Sequence, residues 1–343
     1  MAKSPLILAA LAKAAVPHVN FHEVKSLSAD SNGDFDTALL TANSGEHYVV
    51  RLANTQVAGA EQDVELQALR ALVATDRMRL PFKVTNLIGE TKDERGNRAL
   101  VFEFIYGLPT DISSVPAGSA LAASIAKAIV AIHNLDTAVV ENAHLASFEP
   151  SEIVRSRIAE LDRAAATGKV PAVLLSRWEA ALEDVSIFRF KPCVIHGGLN
   201  ADTLLTLDNE VSGVLGWSSL KISDPAEDFA WILGSGNFET AENIIELYRQ
   251  HHYGFDDALR VRAMLYSELE WARWLMHGIA RKDETIIAEA QELLQELADD
   301  VSTGAVGSLS ARKSEPIGAE NINETYPSTA PIQIPSSSES ELF

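Results

Sequence analysis

The sequence predicts an α+β fold, with a small antiparallel sheet early in the chain and a larger helical part after it. Alternating apolar and polar residues, separated by turn residues, occupy the first hundred positions. From Ser119 to Val301 the apolar residues recur mainly at helical spacing. With 343 residues and 47% hydrophobic content, the chain is large enough to bury a substantial core.

The elements follow in a simple order. A helix is predicted from Pro5 and stopped by Pro17; the same residues could be a signal peptide, but their apolar run is short and rich in alanine. The predicted strands are 23–27, 37–42, 47–52, 84–89 and 98–105. A helix after the third strand should bury Leu66, Leu69, Leu72 and Val73. The later helices are predicted at 120–135, 151–167 with Ser151 as N-cap, 171–187, 239–252, 255–279 and 284–301.

Residues 192–230 interrupt the helices. A short apolar strand at 193–195 precedes a polar turn, and a hairpin follows with arms at 203–207 and 211–215. A second polar loop leads to Asp224 and Pro225, which open a helix because proline is tolerated in the first helical turn.

This stretch resembles the aminoglycoside/macrolide phosphotransferase family, a choline-kinase-like branch of the protein-kinase superfamily. The family pattern is roughly H-G-D-L-x-x-x-N, a hairpin, [IV]-D-W and G-D-P-x-x-D-[LF]-A. The matching residues are His196, Gly197, Leu199, Trp217, Asp224, Pro225, Asp228, Phe229 and Ala230. The resemblance implies a bilobal kinase-like fold: an N-lobe at 1–106 that includes the N-terminal helix, and a helical C-lobe at 107–302.

The resemblance fails at the positions that carry chemistry. Gly198 stands where the family has its catalytic aspartate, Thr203 where it has a metal-binding asparagine, and Gly216 where it has a metal-binding aspartate. Asp202 and Asn200 are the nearest substitutes, although a strand running through 202 and 203 would point their side chains to opposite faces. No metal ligands are therefore expected.

The resemblance also indicates where a nucleotide would bind. Arg51 replaces the lysine that holds the phosphates, and Glu65 resembles its glutamate partner. Backbone groups near Glu103 to Ile105 would meet an adenine ring, although an apolar cleft wall is an equal interpretation. The loop over the phosphates would lie at 28–36, where three aspartates (Asp30, Asp34 and Asp36) would repel a triphosphate.

The composition of the chain argues against several kinds of protein. The net charge of −20 argues against a nucleic-acid or anionic-membrane surface, and no apolar run reaches transmembrane length. The lone Cys193 cannot form an internal disulfide and favours a reducing cytoplasm. Residues 303–343, rich in Ser, Pro and Glu, are predicted to be a disordered tail.

Three functions remain open at this point. The missing residues favour a pseudokinase, which would act as a binding or scaffolding protein. Its partner would be an unidentified protein or a small-molecule ligand, and no cofactor is expected. The second hypothesis is an O-phosphotransferase for a small molecule, with a rewired site that uses Mg·ATP. The third is a nucleotide-independent small-molecule binder.

Overall fold

The computed structural model describes residues 3–27, 34–252 and 254–310. The described chain forms two compact units. The first contains the chain up to Thr110 together with Ala201–Ser219, and the second contains Asp111–Asn200 and the chain from Leu220 onward. The hairpin expected in a C-lobe at 107–302 therefore groups with the first unit. It does so because its strands pair with strands of that unit.

A five-stranded antiparallel sheet forms the body of the first unit, in the order β1-β2-β3-β6-β5. Its strands are β1 (Phe21–Ser26), β2 (Phe35–Ala42), β3 (His47–Ala53), β5 (Leu87–Lys92) and β6 (Arg98–Glu103). The predicted N-terminal helix is present as α1 (Pro5–Ala15). Its buried Leu8 and Ala12 pack in one core with Leu40, Val50 and Leu52 of the sheet, as the alternation of strand side chains requires.

Helix α2 (Gln56–Ala71) follows β3 and begins at Thr55, whose hydroxyl accepts a hydrogen bond from the backbone N–H of Ala58. Leu66, Leu69 and Leu72 are buried, as predicted. Val73 is 53% exposed, so its predicted burial is wrong. The helix ends at Ala71, and helical spacing no longer places Val73 on the inner face. The short α3 (Ala74–Arg77) comes next.

The hairpin of the first unit consists of β9 (Leu204–Leu207) and β10 (Glu210–Val214). It is flanked by β4 (Lys83–Val84) and β7 (Leu108–Pro109), in the order β4-β10-β9-β7. Asp208 and Asn209 make the turn with φ of +53° and +63°. Positive φ at both turn residues is the two-residue geometry that matches strand twist. Both arms are predicted within one residue of their observed ends.

Helices dominate the second unit: α4 (Ala120–His133), α5 (Ala138–Glu141), α6 (Pro150–Ala165), α7 (Ala172–Glu183), α8 (Ala230–Leu233), α9 (Phe238–His251), α10 (Leu259–Arg281) and α11 (Glu284–Thr303). The strands β8 (Cys193–Ile195) and β11 (Lys221–Ser223) belong to the same unit and pair with each other in antiparallel orientation. Ser151 is not the cap of α6. Pro150 already occupies the first turn, so Glu149 is the N-cap and forms a capping box with Glu152.

The chain stays packed for several residues beyond α11. Gly304 ends that helix at φ +78°, Leu309 is buried, and the Arg177 guanidinium donates to the backbone oxygen of Gly307. A tail therefore starts no earlier than residue 311, and residues 311–343 of the predicted tail lie outside the described residues. None of the described helices has the length and apolar character needed to cross a membrane.

Candidate functional site

The loop after β8 is held by Asp228, which lies in a 3-10 turn (Pro225–Phe229) before α8. The Asp228 carboxylate accepts hydrogen bonds from the backbone N–H groups of His196 and Gly197, each at 2.8 Å. Asp228 and His196 are fully buried. Gly197 adopts φ +73°, which favours glycine. The loop conformation is thus set by a carboxylate more than thirty residues away.

The same carboxylate forms a buried ion pair with His133 at the end of α4, Nε2 to Oδ2 3.1 Å. Burial disfavours the charged form of His133 and by itself would lower its pKa. The interactions of His133 with Cys193 and with the Asp228 carboxylate are stronger than this effect and raise the pKa of His133 to about 10. Burial alone would raise the pKa of Asp228, yet the hydrogen bond from His133 holds that pKa below its usual value. Asp228 is therefore a structural anion, engaged on both oxygens.

Asp224 is the second buried carboxylate of this region. It accepts hydrogen bonds from Arg262 Nε at 2.7 Å and from the Tyr266 hydroxyl at 2.7 Å, and it caps the turn through the N–H of Ala226. Both oxygens of Asp224 are thus engaged by partners within the second unit.

Gly198 supplies only backbone groups to the loop. Its N–H donates to His196 Nδ1 at 3.3 Å, and its carbonyl oxygen accepts from the Asn200 side-chain amide at 3.4 Å. Leu199 is buried. The loop from His196 to Asn200 therefore carries no carboxylate.

Thr203 and Gly216 lie side by side in the first unit. Leu215 donates its backbone N–H to the backbone carbonyl oxygen of Thr203 at 2.8 Å. A Cβ added to Gly216 would lie 3.1 Å from Thr203 Cγ2. Gly216 has φ +73°. Asp202 is exposed and sits with Thr203 in a turn before β9, so the strand alternation invoked above does not orient its side chain.

Trp217 confirms the register of this hairpin. Its side chain is fully buried, its Nε1–H donates to the Val214 oxygen at 2.9 Å, and its ring stacks on Phe82 with centroids 6.5 Å apart. Pro225 and Phe229 are buried as well.

Arg51 and Glu65, which resemble the lysine and glutamate partners of the family, form an ion pair, with Arg51 Nη2 2.8 Å from Glu65 Oε2. The contact is not aligned as a hydrogen bond, and within the described chain Arg51 Nε and Glu65 Oε2 are buried without a hydrogen-bond partner. Burial raises the pKa of Glu65 although Arg51 opposes the shift. The Arg51 guanidinium also covers the Phe35 ring at 4.1 Å. Both its charge and its face are thus engaged within the unit.

The expected adenine contacts are partly occupied by the sheet. The backbone N–H of Glu103 donates to the Asn86 oxygen at 3.0 Å, and that of Phe104 to the His47 oxygen at 3.1 Å. Ile105 is buried against Gly213, where an added Cβ would collide with its side chain. Of this segment, the Glu103 side chain is exposed.

Two of the three aspartates of the predicted phosphate loop, Asp34 and Asp36, lie in the described part of the chain and have different partners. Asp36 pairs with Leu52 on the face covered by α1 and accepts the backbone N–H of Lys3 at 2.8 Å. It therefore does not face Arg51, which lies on the opposite face. Asp34 accepts from the Thr55 hydroxyl at 3.3 Å. Asp30 lies outside the described residues.

Sequence reasoning missed one carboxylate near Gly216. The Ser218 hydroxyl donates to Glu61 Oε1 at 3.4 Å, which brings a glutamate of α2 to the short helix that follows Gly216. The spacing of Glu61 and Glu65, four residues apart, places both on one face of α2, but nothing in the sequence indicates the contact of Glu61 with Ser218.

The model of the phosphotransferase enzyme family matches residues 27–265 of this chain. The chain belongs to this family. Among solved structures it is similar to the macrolide 2'-phosphotransferase MphH from Brachybacterium faecium, with a TM-score of 0.70 and 19% identity over 83% of this chain and 97% of that one. It is also similar to the GDP complex of aminoglycoside 2'-phosphotransferase-IIIa, with a TM-score of 0.70 and 18% identity over 87% of this chain and all of that one.

At these identities the likeness concerns the fold, and the predicted kinase-like fold is confirmed. A comparison with curated proteins found no match.

Family membership raises the question of a magnesium ion. Mg²⁺ requires near-octahedral oxygen ligands, usually with one or two carboxylates. At the two metal positions this chain offers a threonine hydroxyl and a glycine. In the described part of the chain, no three His, Cys, Asp or Glu side chains form a group that could hold a metal ion. The donor set at these positions does not fit Mg²⁺.

Proposed function

We propose that this chain is a pseudokinase of the phosphotransferase enzyme family: a kinase-like fold that transfers no phosphate and acts as a binding or scaffolding protein. The carrying observation is that Gly198, Thr203 and Gly216 put no carboxylate at the positions of the base and the two metal ligands, while Asp228 and Trp217 keep the surrounding backbone in place.

The energetics support this proposal. Loss of a general base alone typically costs about 10²- to 10⁴-fold in rate. Loss of the metal removes several kcal/mol more of charge stabilisation from the transition state. Phosphoryl transfer depends almost wholly on such positioning and charge stabilisation. Three substitutions at the centre therefore remove most of what the family's reaction requires.

We also propose that no nucleotide cofactor is needed. The Arg51 guanidinium covers the Phe35 ring at 4.1 Å, so phosphate would have to displace that ring to bind this face of the guanidinium. The pair with Glu65 is compatible with phosphate binding, because active kinases keep the corresponding pair. The N–H groups of Glu103 and Phe104 already donate to the sheet. Related structures contain GDP or ADP, and for this reason both ATP and GTP belong in the test.

A rewired phosphotransferase is the second candidate. Two observations favour it: Asp202 is exposed next to Thr203, and Glu61 reaches Ser218 close to Gly216. Either carboxylate would have to replace a lost metal ligand. Asn200 is a weaker substitute because its amide is directed at the Gly198 oxygen.

The third candidate, a small-molecule binder, would use the helical unit. There the charges of Glu160, Glu227 and Glu270 are matched by Arg157, Lys221 and Arg273 in one ion-pair network. Such a balanced network offers no excess negative charge to a cationic antibiotic. We propose a protein as the partner of this chain. Nucleic acid and membrane are not expected as partners, because the net charge of the chain is −20. A cytoplasmic location is proposed, because the chain has a single cysteine, Cys193.

The test is an ADP- and GDP-release assay on the purified full chain, with ATP or GTP, Mg²⁺ or Mn²⁺, and aminoglycoside, macrolide and choline-like acceptors. We expect no turnover and no shift in unfolding temperature with millimolar Mg·ATP. Asp202→Ala and Glu61→Ala are the matched variants. Turnover that is lost in either variant would refute the pseudokinase proposal and assign the relocated carboxylate. Turnover that is retained in both variants and co-purifies with the chain would refute the proposal without assigning a carboxylate, and turnover that separates from the chain on gel filtration would come from a contaminating kinase.

A further inference from the structure

The stretch from Arg70 to Lys83 is basic in a chain of net charge −20. It carries Arg70, Arg77, Arg79 and Lys83 against one acidic residue, Asp76, which gives four positive charges minus one, or +3. Arg70, Arg79 and Lys83 are exposed, and the described residues form no ion pair with any of the three. This stretch therefore differs in charge from the rest of the molecule.

Apolar side chains are exposed in the same stretch. Met78 is 78% exposed and Val73 is 53% exposed. Met78 and Lys83 also border a cavity of about 340 Å³, whose other walls come from Arg77, Phe82, Val84, Asn86 and the segment 103–105. We call Arg70, Val73, Met78, Arg79, Lys83 and this cavity the basic surface.

Arg77 shapes the basic surface without being available to a partner. Its guanidinium donates to the backbone oxygens of Leu69, Leu72, Val84 and Thr85. Burial lowers the pKa of Arg77, and the nearby Glu103 charge only partly opposes this shift. The exposed positive charges of the stretch are thus Arg70, Arg79 and Lys83, and the acidic residues nearby are Asp76 in the same stretch and Glu103 in the cavity wall.

The segment 314–343 of this chain has complementary chemistry. It contains five glutamates (Glu315, Glu320, Glu324, Glu339 and Glu341) and no lysine or arginine. Its apolar side chains include Tyr326, Ile332, Ile334 and Phe343. The 33 residues beyond Ser310 can span about 100 Å when extended, which is long enough to reach any face of a folded chain of this length.

We propose that segment 314–343 binds to the basic surface of its own chain, with its glutamates opposite Arg79 and Lys83 and an apolar side chain in the cavity. A neighbouring cavity is bordered by Asp208 and Glu210, whose charges disfavour an acidic segment there. Phe82 lines the chosen cavity and stacks on Trp217. An occupant would therefore contact the ring that packs on the motif tryptophan.

The test uses the full chain with photoreactive p-benzoylphenylalanine in place of Tyr326 or, separately, of Phe343. After irradiation at low salt, mass spectrometry should find cross-links to residues 70–83 in the monomeric band. The yield should fall at 1 M NaCl because exposed charge pairs are screened. The double variant Arg79→Glu/Lys83→Glu should lower the yield by about fivefold, since it reverses two exposed attractive charges.

The matched control is Lys127→Glu/Arg163→Glu, which changes the net charge equally at exposed positions of the second unit and should leave the yield unchanged. Unfolding temperatures establish that all variants are folded. Cross-links confined to dimers, cross-links to other parts of the chain, or an equal loss in both double variants would overturn the proposal.

Discussion

The His133 imidazole and the Asp228 carboxylate form a fully buried pair, 3.1 Å apart, that also supports the backbone N–H groups of His196 and Gly197. The pKa of His133 is raised to about 10 from an ordinary value of 6.5. Such a group contributes stability that is fully present below pH 6.5 and is lost as the pH rises through 10.

We therefore predict that the free energy of unfolding falls between pH 7 and pH 10 more steeply in the parent chain than in His133→Gln. Urea midpoints at several pH values measure both slopes, and the comparison removes the contribution of other titrating groups. Asp228→Asn should be destabilised by about 3–5 kcal/mol at pH 7, because it breaks a buried pair. Identical slopes in parent and His133→Gln would contradict a charged His133.

Trp217→Ala should destabilise the chain by about 3–5 kcal/mol, because a fully buried aromatic ring is removed. The control is Leu207→Ala in the same hairpin, where the side chain is 49% exposed and a cost below about 1 kcal/mol is expected. Urea denaturation monitors both. Equal costs for the two variants would show that Trp217 does not pack as described.

Gly216 provides a test of backbone compatibility. At φ +73°, Asn and Asp are tolerated better than β-branched residues. Gly216→Asp should therefore cost about 1–2 kcal/mol, and Gly216→Val clearly more. If thermal unfolding ranked valine as the milder substitution, the left-handed conformation would be wrong.

Arg51→Ala should destabilise the chain by about 3 kcal/mol, because it leaves the Glu65 carboxylate buried without a counter-charge. The double variant Arg51→Met/Glu65→Leu should recover most of this loss, since an apolar pair often replaces a buried ion pair without cost. A double-mutant cycle in urea measures the coupling. If the effects of the two substitutions on the free energy of unfolding were additive, the Arg51 and Glu65 side chains would not stabilise each other.

Truncation locates the end of the folded chain. A chain that ends after Ser310 should keep the packed core and lose only the stabilisation that binding of segment 314–343 to the basic surface supplies. A chain that ends after Thr303 should unfold at a lower temperature, because it loses buried Leu309 and the hydrogen bond from Arg177 to Gly307. Leu309→Ala in the full chain is the milder control. Equal unfolding temperatures for the two truncations would place the end of the fold at Thr303.

The sequence by itself determined the longer elements, the family and the missing chemistry. It did not predict the short α3, α5 and β7, it gave β11 as part of a polar loop, and the helix expected from Asp224 begins as a 3-10 turn. Hydrophobic period and turn residues act over a few positions, so α1, the hairpin around Asp208 and Asn209, and the later helices were predicted to within a few residues at most of their ends. Gly198, Thr203 and Gly216 can be identified from the chain alone, since a glycine lacks a carboxylate in any fold.

Only the tertiary structure decided which distant groups meet. Asp36 points toward α1 rather than toward Arg51, Val73 falls outside the buried stripe where α2 ends, and Leu309 is packed beyond the last helix. Glu61 reaches Ser218 across more than 150 residues of sequence, and Asp228 holds His196 across more than thirty. Local patterns carry no information on such pairings, because they arise when whole elements pack and buried polar groups must find partners.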